Sequence, residues 1–562
     1  MNNDHRIQKV VSARMSTVLR GSRLLLWSIV CLAIVTSIPC IFGYLSTPPD
    51  KWFSGIIYNV HDAAQYLSWI RESGDGLFIE NRLTSEASPP VYLNLHWWIP
   101  GRIASIFGLS PHGAFQVFRL TAIPLAAFML YALISQIFPE KSKRNLAFLL
   151  SVFTSGLGWV WVLEKYLFRP HNLDFPHDVY TMPGNTLWSM TGGSQLVFAL
   201  AIICAVFWMT LKGLESEAWG WSIGSAIAAL FLGMGHIYDL VTVWAVLLVF
   251  GCLIVLRDGW RWSRFWRLGL VVLFSAPSAA YWGWVASGAN PIWKQALAQY
   301  DVLGVFTPDP PHLIVLLGIP FLIALVTYRG VVPLMGQTDE QLLAKSWFGI
   351  TLLLIYLPLR FRIMLLNGYQ IPLAVLATQG YHDHFVPWLQ ERLPRLRSAF
   401  RLAQSDVRRA ANLFLLLAVL PTNLYLIAWR VYDLSEHEYP FYLNLDDLRA
   451  LQWLEDNADP DDVILSSLTI GHYIPGLTGA RPFLSNMVMT MDSVRKRAMV
   501  KEFFDASNDE GSRRQLLREN GVDFIFWGEA ERRLGDYDPR GSTFLGSAFV
   551  SERAILFSVV SQ

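Results

Sequence analysis

Cysteine is scarce in this sequence: the chain of 562 residues contains only four cysteines, and none follows Cys252. All four lie in apolar stretches, which excludes a disulfide framework and a cysteine-based zinc site. Charged residues are also few, at 16% of the chain, and the formal net charge is +1. A nucleic-acid-binding surface needs an excess of Lys and Arg, so this balance argues against a nucleic-acid partner.

Apolar residues are correspondingly frequent and make up 53% of the chain. A helix needs about 20 mostly apolar residues to cross a bilayer. About eleven stretches qualify: 24–45, 116–138, 145–167, 193–212, 219–237, 239–256, 266–286, 312–329, 343–359, 367–389 and 411–431. The sequence therefore predicts a polytopic α-helical membrane protein. No clear small-residue cleavage site follows the first stretch, so we expect it to be retained as a helix.

The Lys and Arg residues predict the orientation in the membrane. They are concentrated in the N-terminal tail and in the loops after the second, sixth and tenth predicted spans. With eleven spans these four segments fall on one side, which the positive-inside rule identifies as cytoplasmic. We therefore expect a multi-pass protein of the plasma membrane with a cytoplasmic N-terminus. Loops 46–115, 168–192 and 287–311, and everything after about residue 432, then face outside.

The last part of the chain has the composition of a soluble protein. From about Asp433, LDDLRALQWLEDNAD predicts an amphipathic helix, and VILSS, DFIFWG and AILFSVV predict short strands. Helices that alternate with short apolar strands are typical of a small α/β domain. We therefore expect a membrane domain over 1–432, with a large first external loop at 46–115. An extracytoplasmic α/β domain over 433–562 is expected to follow it.

The first external loop opens with YNVHDAAQYLSWIRESGDG, from Tyr58 to Gly76. As a helix from Asp62, it places Asp62, Tyr66 and Trp69 on one face. The neighbouring stripe is apolar and consists of Ala63, Leu67 and Ile70. We expect this helix to lie in the membrane interface with its apolar stripe toward lipid. Asp62 either caps the helix start or has a chemical role, and the spacing leaves both readings open.

Four stretches carry a family resemblance: DAAQYLSWIRESGDG, TSE at Thr84–Glu86, YLPLRFRIMLLNGYQIPLA and GHYIPGLTGARP. With these motifs, a large external loop and an external C-terminal domain, the chain resembles the GT-C superfamily of integral-membrane glycosyltransferases. The closer resemblance is to a bacterial group related to protein O-mannosyltransferases and aminoarabinose transferases. It implies inverting transfer of a sugar from a polyprenyl-phosphate-linked donor to a glycan, lipid or protein acceptor at the outer face. GT-C first loops often carry an acidic pair, whereas Asp62 is followed by Ala63.

The resemblance also implies roles for single residues. Asp62 would be the base that activates the acceptor, and Tyr66 would contact substrate. Glu86 would be a second acid or a metal ligand, although a solvated loop carboxylate is an equal alternative. Metal dependence stays open, because some GT-C members use a divalent ion and others do not. Arg360 and Arg362 would bind the donor phosphate, unless they extend to lipid headgroups, and Lys294 is a weaker candidate for that role.

Two further pairs are candidates for substrate contacts. His236 and Asp239, in GMGHIYDL, are three residues apart and could form one turn that faces a substrate cavity. His472 and Tyr473 lie in GHYIPGLTG after a predicted strand, where a loop commonly faces ligand. Docking of this loop onto the membrane domain is the plainer interpretation. The group His171, Asp174, His177 and Asp178 matches no strong metal pattern and is interpreted as a loop wall.

Three other functions remain open on the sequence. A transporter or flippase of lipid-linked sugars would show internal symmetry and broken mid-membrane helices, and we find no matching halves. A polysaccharide polymerase or ligase would share the large loops, but usually lacks the acidic first-loop helix and the C-terminal α/β domain. A structural or sensory protein would tolerate replacement of Asp62.

Overall fold

The computed structural model describes residues 23–168, 176–288, 290–299, 307–329, 334–359, 361–392 and 404–560. It divides into two compact units, each assembled from three segments of the chain. The helical unit comprises Met1–Ser37, Arg119–Pro277 and Val305–Ala428, and the mixed unit comprises Ile38–Phe118, Ser278–Gly304 and Trp429–Gln562. The C-terminal segment that the sequence sets apart near residue 433 is thus grouped with the first external loop.

Long apolar helices dominate the first three quarters of the chain. Six of those described are long and apolar enough to cross a membrane: Arg23–Ser46, Pro111–Ile137, Ser194–Ser216, Ile237–Asp258, Trp262–Ser287 and Pro310–Tyr328. Two bent pairs raise the number to eight if each pair is one span: Lys141–Phe153 with Gly158–Leu167, and Arg408–Ala418 with Pro421–Ser435. The chain is therefore a multi-pass helical protein by length and composition, and the count of eleven spans stays a prediction.

The remaining predicted spans coincide with shorter helices. Trp219–Gly235, Asp339–Leu354, Gln370–Gly380 and Val386–Arg392 all have fewer than 18 residues. The core of the helical unit consists of apolar side chains, with Phe207, Phe250 and Trp347 fully buried among them. Between membrane-spanning helices, such side chains stabilise the core through van der Waals packing.

The mixed unit combines helices with two sheets. Its helices are Val60–Ser73, Leu95–Phe107, Pro291–Gln299, Leu445–Asn457, Leu468–Gly471, Ile474–Leu477, Ser493–Phe504, Glu510–Glu519 and Glu529–Arg532. In the smaller sheet, β1 (Lys51–Phe53) pairs antiparallel with β2 (Tyr442–Asn444), with Trp52 opposite Leu443. This pairing joins the start of the first loop to the C-terminal segment.

The larger sheet has five strands in the order β4-β3-β5-β7-β6. They are β3 (Val463–Leu465), β4 (Arg481–Pro482), β5 (Val522–Trp527), β6 (Leu545–Val550) and β7 (Ile555–Val559). Strands β4, β3 and β5 are parallel, whereas β7 and β6 pair antiparallel. The short apolar runs predicted as strands form β3, β5 and β7, because side chains on both faces are covered.

Candidate functional site

The helix that carries Asp62 begins two residues earlier than the sequence suggested. It spans Val60–Ser73, and Asn59 is its N-cap, with a left-handed backbone (φ 43°) and a side-chain oxygen that accepts from the backbone N–H of Asp62. Asp62 is therefore not the cap. Its carboxylate instead accepts a hydrogen bond of 2.6 Å from the side-chain amide of Asn59. This neutral donor leaves the charge of Asp62 without a compensating cation at that contact.

The surroundings of Asp62 make its carboxyl group a weaker acid than usual. The side chain is half-buried at the start of the helix. Burial raises the pKa of Asp62 from its ordinary 3.8 to about 6, because a carboxylate loses hydration when it leaves water. A carboxylate with a pKa near 6 is ionised at pH 7 and is also a competent proton acceptor.

The apolar stripe of this helix faces protein, and the expectation that it faces lipid is wrong. Ala63, Leu67 and Ile70 are at most 5% exposed. A Cβ atom added to Gly101 would lie 2.7 Å from the carbonyl oxygen of Ile70, and one added to Gly476 would lie 2.9 Å from the Cβ of Leu67. The stripe therefore lies between the helices Leu95–Phe107 and Ile474–Leu477, and these contacts fix the position of Asp62.

Tyr66 and Trp69 belong to an aromatic cluster beside the Asp62 helix. The Tyr66 ring stacks on Trp97 with centroids 4.2 Å apart, and Trp69 lies 4.6 Å from Tyr92. Tyr92 in turn stacks on Trp293 at 4.5 Å. Tyr66 is half-buried, so part of this side chain remains accessible next to the face that carries Asp62.

Glu86 is held in a different way from Asp62. Its carboxylate pairs with the Nζ of Lys496 at 2.8 Å and accepts a hydrogen bond from the Thr84 hydroxyl. Burial alone would raise the pKa of Glu86, but these bonds hold it below its ordinary value. These bonds tie Glu86 to the C-terminal segment, and its role as a second acid or metal ligand stays a prediction.

The TSE motif fastens the first loop to the segment that precedes helix Ser493–Phe504. The Thr84 hydroxyl accepts from the backbone N–H of Met491 at 3.1 Å, and the Thr490 hydroxyl donates to the carbonyl of Leu83 at 2.7 Å. Lys496 also reaches the Ser85 hydroxyl at 2.7 Å. The polar residues of this motif are thus used within the mixed unit.

His472 and Tyr473 are buried and have internal partners. His472 stands between two side chains: its Nδ1 lies 2.9 Å from the Tyr439 hydroxyl, and its Nε2 lies 2.7 Å from Nδ1 of His61. Tyr473 donates to the carbonyl of Pro440 at 2.6 Å. Burial lowers the pKa of His472 to about 3, and the neighbouring His61 adds to that effect, so the imidazole is neutral at pH 7.

The glycines of GHYIPGLTG permit close packing of this loop. A Cβ on Gly471 would lie 1.8 Å from the carbonyl oxygen of Leu484, and Gly476 approaches Leu67 of the Asp62 helix as described. The guanidinium of Arg71 also donates to the carbonyl of Leu477 at 2.9 Å. The structure therefore places the GHYIPGLTG loop against the Asp62 helix of the first loop.

Sequence reasoning missed a buried ionic network around Arg481. This guanidinium is 2% exposed and donates to the carboxylate of Glu80, which also accepts from Arg82. Glu72 lies 3.8 Å from Arg82. Burial raises the pKa of Glu72 to about 8 although Arg82 acts in the opposite direction. Arg481 lies at the end of the motif GHYIPGLTGARP. Its place in that motif is the sequence feature that could have pointed to it.

The pair His236 and Asp239 lies in the helical unit, at the break between the helices Trp219–Gly235 and Ile237–Asp258. The Nδ1 of His236 lies 2.9 Å from Asp239, and the side-chain amide of Asn367 donates to the same carboxylate at 2.7 Å. Asp239 is 0% exposed. The two residues do form one turn, as the spacing predicted, and they bind each other and Asn367 there.

The predicted phosphate-binding cations are only partly described. Arg360 lies outside the described residues, while Arg362 is half-buried at the start of the short helix Arg362–Leu366. Lys294 is exposed on the helix Pro291–Gln299.

No group of three or more potential ligands that could hold a metal ion occurs in the described part of the chain. His171 and Asp174 lie outside that part. Asp178 accepts a bond of 2.7 Å from the backbone N–H of Gly158, and His177 lies 3.1 Å from the Tyr180 hydroxyl.

Known proteins resemble this chain in fold and not in sequence. No family model matches it, and a search of curated proteins finds no match. The apo oligosaccharyltransferase of Archaeoglobus fulgidus matches with a TM-score of 0.52 at 12% identity, over 94% of this chain and 73% of that one. Its oligosaccharyltransferase AglB in complex with an inhibitory peptide and dolichol-phosphate gives 0.51 at 12% identity, over 96% and 75%. The chain shares its fold with these oligosaccharyltransferases, and that fold is of the GT-C type.

ArnT from Cupriavidus metallidurans, bound to undecaprenyl phosphate, also matches, with a TM-score of 0.46 at 11% identity over 93% of this chain and 97% of that one. The two oligosaccharyltransferase matches, with TM-scores above 0.5, confirm at the level of the fold the resemblance read from the sequence motifs. Identities of 11–12% transfer no residue roles, so the chemistry of this chain has to be argued from its own side chains.

Proposed function

We propose that this protein is an inverting glycosyltransferase that moves a sugar from a polyprenyl-phosphate-linked donor to an acceptor at the outer face of the plasma membrane. The observation that carries the proposal is Asp62: a half-buried carboxylate with a pKa near 6 at the start of a first-loop helix. The GT-C fold supports the same class of reaction, because the similar solved structures include proteins bound to dolichol-phosphate or undecaprenyl phosphate.

The proposed reaction is a single displacement. Asp62 accepts a proton from the acceptor hydroxyl or amine while that oxygen or nitrogen attacks the anomeric carbon. The bond from this carbon to the phosphate oxygen breaks on the opposite face, and the electron pair leaves with the lipid-linked phosphate. Configuration therefore inverts. General base catalysis of this kind contributes typically 10²–10⁴-fold.

Other residues have supporting roles in this proposal. Arg362, and Arg360 beside it, would bind the leaving phosphate, since a planar guanidinium pairs with phosphate through two parallel hydrogen bonds. Tyr66 is half-buried on the same helix as Asp62 and would contact the acceptor or the sugar. The cytoplasmic N-terminus and extracytoplasmic C-terminal segment follow from the charge bias of the loops.

The experiment compares the wild type with Asp62→Asn and with a matched control, Asp75→Asn. Asp75 is an exposed acid just beyond the C-terminal end of the same helix. Membranes that contain each protein receive radiolabelled polyprenyl-phosphate sugars, and transfer of label out of the lipid pool is measured. We expect Asp62→Asn to lose about 10²–10⁴-fold in kcat, with donor binding retained. The control should keep the wild-type rate.

Folding provides the second control. A carboxyl group whose pKa is raised from 3.8 to about 6 favours the folded state most when protonated, below pH 4, and that contribution is lost as the pH rises through 6. Replacement by neutral Asn should therefore not lower Tm at pH 7. If Asp62→Asn transfers sugar at the same rate as Asp75→Asn, then Asp62 is not the base. No transfer from any carrier would favour a flippase or a partner-binding protein.

A further inference from the structure

The mixed unit contains a pocket at the edge of its larger sheet. Some of its lining residues come from the segments that follow the three parallel strands: Leu468 and Thr469 after β3, Leu484 after β4, and Ala530 and Leu534 after β5. The carboxyl ends of parallel strands meet at one edge of a sheet, and this edge is where open α/β sheets bind ligands. The pocket therefore lies where the topology favours a ligand site.

Three polar groups at the pocket have donor or acceptor capacity to spare. Arg497 is exposed, and it forms no ion pair or hydrogen bond with any residue that the structure describes. The Thr469 hydroxyl is likewise without a partner among those residues. His61 uses Nδ1 in its contact with His472, which leaves Nε2 for another contact. A cation, a hydroxyl and an imidazole nitrogen together suit an anionic group.

Apolar side chains form half of the wall, and Ser467 and Tyr439 also line it. Leu468, Leu484, Val500 and Leu534 line the pocket together with Ala530, and its volume is about 310 Å³. Sites for small molecules occupy about 300–1,000 Å³ and are mostly apolar with a few placed polar groups. The lining therefore matches a small molecule that has an apolar body and one charged group.

A buried acid, Glu531, holds together two of the segments that line the pocket. Glu531 follows β5, and its two carboxylate oxygens accept from the backbone N–H groups of Ser467, at 2.7 Å, and Gly528, at 2.9 Å. This acid therefore ties the segment after β3 to the segment after β5. The charge of Arg497 forms no ion pair with a residue that the structure describes.

The orientation of His61 is set by a hydrogen-bonded chain that begins at Tyr439, which also lines the pocket. His472 bridges the Tyr439 hydroxyl and the Nδ1 of His61, and Asn486 donates to the carbonyl of His61 at 2.5 Å. If the Tyr439 hydroxyl donates to His472, then His472 donates to His61, and the remaining proton of His61 lies on Nε2. This arrangement presents an N–H donor, which an anion accepts.

We propose that this pocket binds a small water-soluble organic anion, with a carboxylate or phosphate group against Arg497, Thr469 and His61. Its apolar body would lie against Leu468, Leu484 and Leu534. Binding is independent of the proposed sugar transfer, because none of these residues has a role in that reaction.

The test measures binding of two probes, phenyl phosphate and benzoate, to the purified full chain by isothermal titration calorimetry. Arg497→Gln is compared with Arg495→Gln, because Arg495 is also exposed on the helix Ser493–Phe504 and does not line the pocket. We expect saturable binding of at least one probe to the wild type. Its Kd should rise about tenfold or more in Arg497→Gln and less than twofold in Arg495→Gln.

Two results would overturn the proposal. One is the absence of saturable binding of either probe to the folded wild type, and the other is an equal loss of affinity in both Arg variants.

A lipid headgroup is the alternative source of the same chemistry. If the natural ligand is water-soluble, phosphatidic acid should not compete for the pocket. The protein reconstituted in nanodiscs that contain about 20% phosphatidic acid should then bind the soluble probe with an unchanged Kd. A Kd that rises with phosphatidic acid would assign the pocket to a membrane lipid.

Discussion

Asp62 and Glu86 are two acids of the same external loop, and the structure treats them in opposite ways. Asp62 receives one hydrogen bond from a neutral amide, and burial raises its pKa to about 6. Glu86 is more exposed, yet it is tied to Lys496 and has a lowered pKa. The comparison indicates that Glu86, which is paired with a lysine, stabilises the fold. Asp62 is held only by a neutral donor, which suits proton transfer.

The largest effect, on the free energy of unfolding, should come from removing Arg481 from the ionic network next to Glu86. Arg481→Met leaves Glu80 short of a buried partner and also removes a guanidinium that lies 3.5 Å from the carbonyl of Glu86. We expect a loss of about 3 kcal/mol in the free energy of unfolding, because the carbonyls of Asn81 and Glu86 lose a buried charged donor and Glu80 keeps only Arg82 as a described partner. Thermal unfolding of the purified chain, followed by tryptophan fluorescence, measures it.

The matched control is Arg533→Met, which breaks an exposed pair with Glu529. Surface pairs of this kind contribute about 0–1 kcal/mol, so Tm should change little. Equal loss of Tm in the two Arg variants would show that the Arg481 network does not stabilise the loop.

A smaller loss should follow from Glu86→Gln. Lys496 is 5% exposed and would remain buried without its carboxylate. We expect the free energy of unfolding to fall by about 1–3 kcal/mol, while sugar transfer per folded molecule changes less than twofold. The double variant Glu86→Gln with Lys496→Met should recover part of the loss. A drop in transfer of 100-fold without loss of Tm would return Glu86 to the list of catalytic candidates.

The next effect in size is on the pH dependence of kcat, which should distinguish Asp62 from Glu86. The base form of Asp62 is the ionised one, so kcat should fall about tenfold for each pH unit below about 6. The bonds to Lys496 and Thr84 hold the pKa of Glu86 below its ordinary value, so Glu86 should lose its charge at a lower pH than Asp62 does. Transfer is measured between pH 4.5 and 8 with Tm recorded at each pH. A profile that is flat down to pH 4.5 would contradict Asp62 as the base.

The smallest effect should come from Asn59→Gly. Glycine keeps the left-handed backbone of this cap, so helix stability should fall by only a few tenths of a kcal/mol. The donor to Asp62 is lost, which disfavours the ionised form, and the acidic limb of the profile should move to higher pH. An unchanged limb would mean that the Asn59 bond does not influence the ionisation of Asp62.

Much of the fold was readable from the sequence, because it depends on local pattern. Apolar run length predicted the long helices, the short runs VIL, FIFW and ILF predicted β3, β5 and β7, and the first-loop motif predicted the Asp62 helix to within two residues at its start. The GT-C resemblance carried the same information from motifs. These features follow from hydrophobic period and length, which tertiary contacts rarely override.

The candidate site was predicted less completely. Asp62 was identified as an acid of interest, but its cap Asn59 was missed, because capping depends on backbone angles that spacing does not specify. The stripe of Leu67 and Ile70 was assigned to lipid, since an apolar stripe looks the same whether protein or lipid covers it. The partners of Glu86 and Arg481 lie about 400 residues away in the chain.

The sequence by itself determined which segments are apolar, which are helical, and that an acid stands at the start of the first-loop helix. Those properties are local, since they depend on residues within a few turns of one another. Only the tertiary structure decided which acid is paired, which histidine is buried and where the pocket opens. Ionisation and binding depend on burial and on partners that are distant in sequence, and folding alone brings these together.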